Sequence, residues 1–287
     1  MKYQFMATHR DEHPVARMCR VLGVARSGYY AWLESPVSQR EQRNQALTEE
    51  IRQAFEESQQ TYGRRRIRAA LWAKGIACGR ARVVRLMRRA RLRVPLPRRR
   101  VVTTQSNPHD KCGENKLARD FTATAPNQKW VVDITYVPTQ EGHLYLAGVL
   151  DLFSRKMVGW AMDDNLRHEL TQAALRIALL TRQPQAGLLH HSDRGSQYTS
   201  TEYQAIFARF GIEVSLSRAH NCFDNAPMES VWGKLKTECL YRYHFKTRAE
   251  ARTVIFAYLE GFYNRHRLHS TLGYVSPEQF EQARWTS

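Results

Sequence analysis

Three acidic residues stand where their types and spacing can do chemistry. Asp133 lies inside WVVDITYV, Asp193 inside LLHHSDRGSQYTS, and Glu229 inside NCFDNAPMESVWGKLKTE. As a strand, the first segment puts Val131, Asp133, Thr135 and Val137 on one face. A carboxylate in that company is costly to bury unless a cation meets it, either an Arg in a salt bridge or a metal ion. Asp193 follows a short apolar run, with Gly195 two residues on. Ligand sites in open α/β sheets gather at the carboxyl ends of strands, although an Asp there also serves as a turn former. Asp224, Asn225 and Pro227 signal a helix start, so Glu229 falls in its early turns, where a carboxylate also complements the helix dipole. Sixty positions separate Asp133 from Asp193, and 35 residues lie between Asp193 and Glu229. Acids on a central strand, at a strand end and on a nearby helix can converge on one point. Three anions pack together only around divalent cations. Oxygen ligands without a Cys/His cluster favour Mg²⁺ or Mn²⁺ over Zn²⁺. Two such ions about 3.5–4 Å apart activate an attacking oxygen and stabilise the leaving one.

The elements that must position these acids read as follows. Trp130–Val137 is a β-run; Leu144–Leu152 and Lys156–Met162 form a hairpin around Phe153-Ser154-Arg155. Leu170–Thr181 is an amphipathic helix, Gly187–His191 a strand, Ser200–Phe210 a helix and Ile212–Leu216 a strand. Asn225–Tyr241 and Arg248–Tyr263 are longer helices. Three antiparallel strands followed by βα units predict an α/β fold, a mixed sheet with helices on its faces.

The preceding residues have a different texture. Residues 13–33 read as helix, turn, helix, broken at Gly23, with Ser27 capping the second helix. Residues 41–59 are a polar helix with a thin stripe of Leu47, Ile51 and Phe55. A second helix–turn–helix follows: Arg65–Lys74, with Ile67, Leu71 and Trp72 inward, then Arg80–Arg89, with Val83, Leu86 and Met87 inward. Arg82, Arg85 and Arg89 share another side of that last helix, the pattern of a major-groove or phosphate-tracking element, or of a solvated basic helix in a small bundle. Residues 96–122 lose all periodicity and read as a linker. The predicted organisation is an N-terminal helical module (1–60), a basic helix–turn–helix (61–95), the linker, and a catalytic core with a C-terminal helical extension (123–287).

Charge follows the same division. The chain of 287 residues carries a net charge of +17. Residues 1–60 are balanced, residues 61–120 hold 18 basic and three acidic side chains, and the remainder holds 18 and 16. From Arg64 to Arg100 there are 15 basic residues and no acid. Such a block repels itself unless a polyanion lies beside it, and Arg grips phosphate through a planar fork. Nucleic acid is the expected partner, double-stranded DNA where the second helix–turn–helix reads a major groove, through Arg64, Arg65, Arg66, Arg82, Arg85, Arg89, Arg98, Arg99 and Arg100. An anionic membrane is the poorer fit, because the block has little bulky apolar surface to insert. Apolar residues at 43% and charged residues at 25% exclude a wholly disordered chain. No apolar run approaches the ~18 residues of a membrane span, and MKYQFMATHRDEHP lacks the apolar core of a secretory signal. Five scattered cysteines without a CxxC pair support neither a zinc ribbon nor a disulfide framework. The expectation is a reduced, cytoplasmic, nucleoid-associated protein.

The spacing of the three acids resembles the DDE signature of retroviral integrases and bacterial transposases. The words WVVDITYV, VLDLFSRKMVGW, HHSDRGSQYTS, NAPMESVWGKLKTE and YNRHRLHSTLGYVSPEQF, with MCRVLGVARSGYYAWL and YGRRRIRAALWAKGIACGRARVVRLMRRARL before them, resemble the OrfB-type DDE transposase of bacterial insertion sequences expressed by frameshifting. The resemblance covers nearly the whole chain. It implies an RNase H-like core, with Asp133 on the first strand, Asp193 after the fourth and Glu229 on a later helix. It implies metal-assisted hydrolysis at the element's 3′ ends, then direct attack of the freed 3′-OH on another phosphodiester. It also implies an upstream-frame partner or fusion and a multimer on DNA.

Other residues are read in that light. Lys236, seven residues after Glu229 on the same helix face, resembles the integrase lysine that touches the DNA end, or is a solvated Lys. His191 and Gln197 flank Asp193, to orient it, to meet a phosphate, or as structural residues. Asp151 is read as a turn residue rather than a fourth carboxylate ligand. Asn264, Arg267 and His269 resemble the family's C-terminal YNxxRxHS word; they either bind a phosphate or lock the C-terminal helix to the core, the second being preferred. Two other readings stand beside the recombinase. A metal-dependent nuclease of the RNase H class shares the fold without strand transfer. A non-enzymatic DNA-binding regulator explains residues 1–100 but leaves a buried Asp133 without a cause.

Overall fold

The computed structural model describes residues 1–34, 37–95, 114–198, 200–218 and 222–285. The chain divides into two compact units, Met1–Arg93 and Val94–Ser287.

The first unit is helical. It runs through α1 (Lys2–Thr8), α2 (Val15–Leu22), α3 (Arg26–Glu34), α4 (Gln39–Glu57), α5 (Arg64–Ala73) and α6 (Arg80–Arg89). Gly23 ends α2 in the left-handed conformation (φ 62°), which a residue without Cβ adopts freely. α3 begins one residue ahead of the predicted cap Ser27, at Arg26. Met6, Met18, Cys19 and Tyr29 form the small core of α1–α3. Ser38 caps α4: its hydroxyl accepts from the Glu41 N–H (3.3 Å). Its buried stripe of Leu47, Ile51 and Phe55 is the one the periodicity predicts; Ile67 and Leu71 of α5 and Val83, Leu86 and Met87 of α6 are buried too. Trp72 corrects the sequence reading. It is 54% exposed, and the Arg68 guanidinium lies 3.9 Å above its ring. A cationic side chain on the indole face stabilises that outward rotamer where an apolar count alone points it inward.

The second unit is a five-stranded mixed sheet with helices. β1 (Lys129–Thr139), β2 (Gly142–Asp151) and β3 (Met157–Asp163) are antiparallel neighbours, as predicted. α7 (His168–Arg182) then leads to β4 (Leu189–Ser192), and α8 (Thr201–Phe210) to β5 (Glu213–Leu216). The order is β3-β2-β1-β4-β5, with β1, β4 and β5 parallel. α9 (Ala226–Glu238), α10 (Arg248–Phe256) and α11 (Pro277–Trp285) follow, and a π-helical turn, Ala257–Tyr263, continues α10. The helix predicted over Asn225–Tyr241 ends earlier, at Glu238, and a 3₁₀ turn takes Leu240–Arg242.

Strand alternation divides the sheet into two faces. Trp130 and Val132 of β1, with Val149 and Ala147 of β2 (the partners of Val132 and Ile134), face one core, shared with Leu170, Leu175, Tyr203 and Phe207 of α7 and α8. The odd-numbered residues of β1, Asp133 among them, face the other way, toward α9. Of the segment read as a linker, residues 96–113 lie outside the described residues. Residues 114–122 lie along the sheet unit: Leu117 is buried, its N–H donates to Ser215 Oγ (3.0 Å), and the Leu216 N–H donates to the Glu114 carbonyl (3.1 Å). The sequence shows only its polarity; its partners are about 100 residues away.

Candidate active site

Strand register brings the first two acids side by side. β1 and β4 are parallel, and Val131 pairs with His191. Two residues further on come Asp133, still in β1, and Asp193, in the turn just beyond β4. The Asp193 carboxylate is held in its turn by the Gly195 N–H (3.0 Å).

α9 brings the third. The Asn225 side chain, at its start, donates from Nδ2 to the carbonyl of Val132 (2.9 Å), the residue before Asp133. Gly148, which pairs with Asp133 across β1 and β2, lets the helix approach: a Cβ there would lie 2.7 Å from both Met228 Cε and Trp232 Cη2. Glu229 sits between those two residues on the helix. Gly148→Val is expected to cost about 1–3 kcal/mol, as overpacking does. Urea denaturation checks the cost, and a strand-transfer loss exceeding the unfolded fraction shows that the helix has been lifted from the acids.

The electrostatics put the acids together. Burial, then the negative charges of Asp193 and Glu229, push Asp133 up to about 8. Asp193 is also raised, by burial. Neither forms an ion pair with a Lys or Arg among the described residues. The salt-bridge alternative for Asp133 therefore has no partner there. Lys236, two turns along α9, is half-buried, lies 5.5 Å from the Tyr136 ring centroid and feels the Asp133 charge against the effect of its own burial. Among the described residues no three His, Cys, Asp or Glu side chains form a ready-made metal cage. The acids are electrostatic neighbours, and their hard oxygens suit a divalent cation.

The other predicted residues divide by surroundings. His191 is buried between two hydroxyls, Ser215 Oγ at 2.8 Å from Nδ1 and Ser217 Oγ at 3.0 Å from Nε2. Burial pushes it down to about 4, so it is neutral at physiological pH and ties β4 to β5. Gln197 sits beside Gly195 in the turn that holds Asp193. Asp151 is a turn residue: its carboxylate accepts from the N–H groups of Asn127 (2.8 Å) and Phe153 (2.9 Å). Asn264 clamps both backbone groups of Met157, at 2.9 and 3.0 Å, and its carbonyl accepts from the Glu278 N–H. Arg267 is wholly buried, bidentate to Glu238, with His269 3.4 Å away. These three residues lock the C-terminal helices. Arg64 and Arg65 are exposed on α5, and Arg66 lies 5.6 Å from the Tyr62 ring centroid. Arg82 donates to Asn44 of α4 and Arg89 pairs with Glu41, which splits the predicted row. Arg98, Arg99 and Arg100 lie outside the described residues.

Asp224 was legible only as a helix-start signal. It is fully buried and receives Asn115 Nδ2 (2.9 Å), Arg119 Nε (2.8 Å) and two nitrogens of Arg218 (2.9 and 2.8 Å). Arg218 first, then Arg119, hold its carboxyl far below the usual range, and Asn115 and Arg119 pin the 114–119 segment near the start of α9. No spacing rule links Asn115 or Arg119 to Asp224, so sequence carried no signal for it.

A mixed five-stranded sheet, with acids at the middle of its first strand, beyond its fourth and on a later helix, defines the integrase-type α/β catalytic core. Comparison with known proteins agrees: residues 123–222 and 229–284 match families described as Integrase core domain, and residues 42–100 one described as HTH-like domain. The chain belongs to the IS3-type family of insertion-sequence transposases. It is 41% identical to the transposase InsF for insertion sequence IS3A of Escherichia coli K12, over 98% of each chain. It is 48% identical to an uncharacterised 31 kDa protein of insertion element IS600 from Shigella sonnei, over 92% of this chain and 97% of that one. Among solved structures, it is similar to a chain of the simian T-cell lymphotropic virus intasome (17% identity, TM-score 0.48, covering 75% of this chain and 70% of that one). It is also similar to the HTLV-2 integrase catalytic core domain with magnesium (16% identity, TM-score 0.44, covering 56% and 99%). Among the described residues no helix is long and apolar enough to cross a membrane.

Proposed function

We propose that this insertion-sequence transposase is a DDE polynucleotidyl transferase in which Asp133, Asp193 and Glu229 hold Mg²⁺ or Mn²⁺, two ions per active site. Water attacks the phosphodiester at each 3′ end of the element, and the bond between phosphorus and the element's terminal 3′ oxygen breaks, leaving a 3′-OH on the element and a 5′-phosphate on the flanking strand. That 3′-OH then attacks a target phosphodiester; a new P–O bond forms as the old one breaks, and no protein–DNA bond intervenes. The divalent ions supply charge for the attacking and leaving oxygens. Asp133 presents its carboxylate from β1 and Asp193 from the turn that follows the parallel neighbour β4, Asn225 and Gly148 set the height of Glu229, and Lys236 is near enough to meet a DNA phosphate. The observation that carries the reading is Asp133, buried beside two neighbouring carboxylates, raised by that burial and then by their charges, and without an ion-pair partner among the described residues. Manganese titration of the purified chain by electron paramagnetic resonance tests it. Wild type is expected to bind Mn²⁺ and Asp133→Asn to lose that binding; equal binding by both rejects the assignment.

The same reading includes an upstream-frame partner or fusion and a multimer on DNA. Phosphate contacts hold a protein on DNA without carrying sequence information, whereas choosing element ends in a genome needs roughly 10³–10⁷-fold discrimination. The chain alone is expected to prefer true terminal repeats over scrambled duplexes only weakly and to join them poorly until fused to that partner. Competition binding and strand transfer, run in parallel on chain and fusion, check this. A preference of ~1,000-fold by the chain alone, with joining equal to the fusion's, makes the partner dispensable.

A further inference from the structure

The first unit has a basic groove that the row of arginines on α6 did not foretell. The N-terminal ends of α4 and α6 open onto one concavity of about 1050 Å³, lined by Ser38, Arg40, Arg43, Asn44, Arg82 and Arg85 among others, with no acid in its lining. Gly79, the N-cap of α6, also lines it and offers no side chain to the first N–H groups of the helix. The adjacent acid, Glu41, is already engaged. It pairs with Arg89, which holds its carboxyl below the usual range, and it accepts from Asn44 Nδ2 (3.4 Å). Asn44 in turn accepts from Arg82 Nε (3.0 Å), which fixes the direction of that guanidinium. Glu41 thus compensates Arg89, while Arg40, Arg43, Arg82 and Arg85 keep their charge in the groove.

Four guanidiniums and two positive helix ends in one concavity suit a row of phosphates. Forked donors at helix ends satisfy phosphate oxygens and carry no means of telling one base from another. We propose that this groove binds the sugar–phosphate backbone of duplex DNA, with Arg40 and Arg43 of α4 as principal contacts alongside Arg82 and Arg85 of α6. This differs from a recognition helix lying in the major groove with Arg82, Arg85 and Arg89 as one row, where α4 would contribute nothing. The identity of the polyanion rests on reading the chain as a DNA transposase; the groove itself does not depend on the three acids.

The test uses the full chain and fluorescence anisotropy with a labelled duplex across a potassium chloride series. Arg40→Ala with Arg43→Ala is expected to weaken binding ~10-fold or more and to flatten the slope of log K against log salt by about two units, one per lost phosphate contact. The loss is expected to be equal on terminal-repeat and scrambled duplexes. Arg17→Ala with Arg20→Ala removes the same charge from the exposed side of α2 and is expected to leave the slope within error. Arg40→Lys with Arg43→Lys is expected to restore most of the slope, which separates charge loss from misfolding. An unchanged slope in the Arg40/Arg43 alanine variant, or an equal loss from Arg89→Ala alone, overturns the groove in favour of the α6 row. A wild-type chain whose duplex affinity ignores salt overturns the DNA reading instead.

Discussion

Single replacement of Asp133, Asp193 or Glu229 by Ala or by its amide is expected to abolish 3′-end cleavage and strand joining together. The expected loss is on the order of 10³-fold or more in rate, about 4 kcal/mol of barrier. Residues that act as one unit are non-additive, so a double variant is expected to be little worse than either single one. Duplex affinity is expected to persist, since the basic groove lies in the other unit. Strand-transfer assays with pre-cut and uncut ends make the measurement; near-normal joining by any one of the three variants removes that residue from the site. Stability gives an independent readout. In the chelated protein Asp133 is raised from the usual carboxylate range to about 8, so the folded state holds a proton that the unfolded chain has released. Folding stability from this group is full below the unfolded value near 4 and falls as pH rises toward 8. Asp133→Asn, which cannot ionise, is therefore expected to melt higher than chelated wild type at pH 8, with the difference vanishing near pH 4. Thermal melts at the two pH values check the sign.

Arg267→Ala is expected to destabilise the second unit by about 3–5 kcal/mol. The Arg267 side chain is wholly buried; its Nε and Nη2 meet the two oxygens of Glu238 at 2.7 and 2.5 Å, and Tyr258 donates to the same carboxylate (2.9 Å). Removing the guanidinium leaves a largely buried carboxylate without its bidentate partner, which costs far more than losing an exposed pair. A melting shift on the order of 10 °C follows for a unit of this size. Replacing both partners by apolar residues of similar volume, Arg267→Met with Glu238→Leu, is expected to recover most of the loss, because the desolvation of both ions is then avoided. If Arg267 were instead a phosphate contact, duplex affinity would fall well below the melting temperature with stability unchanged. Chemical denaturation and anisotropy at 25 °C distinguish the two outcomes.

Local rules in the sequence carry much of the site. Period-two alternation puts Asp133 opposite the core face of its strand, because Trp130 and Val132 must face the apolar cluster. The strand order explains why Asp193 arrives beside it: a parallel crossover through α7 returns the chain in the same direction. Helix-start residues place Glu229 in an early turn of α9. The first and last of these depend on neighbours a few residues away, and so were legible; the pairing of β1 with β4 joins residues 60 positions apart and shows only in the fold. The height of α9 above the strands was not. It depends on the missing side chain of Gly148 and on the Asn225 bond to Val132, contacts across 80 and 93 positions.

What the sequence by itself determined, then, was the inventory and its periodicity: three acids at the spacing of a metal-dependent transferase, an alternating α/β core, and an Arg-rich segment set before it. Tertiary structure alone decided which charges were already spoken for. Arg89 turns to Glu41, while Arg82 and Arg85 join Arg40 and Arg43 in a groove. Arg267 disappears into the core with Glu238, and Asp224 gathers Asn115, Arg119 and Arg218. Asp133 and Asp193 have neighbouring carboxylates, backbone N–H groups and the Trp232 indole for company, with Lys236 at a distance. The physical reason is that a charge is neutralised by whichever opposite charge packing brings within a few ångströms, and packing joins residues from distant parts of the chain without regard to their spacing along it.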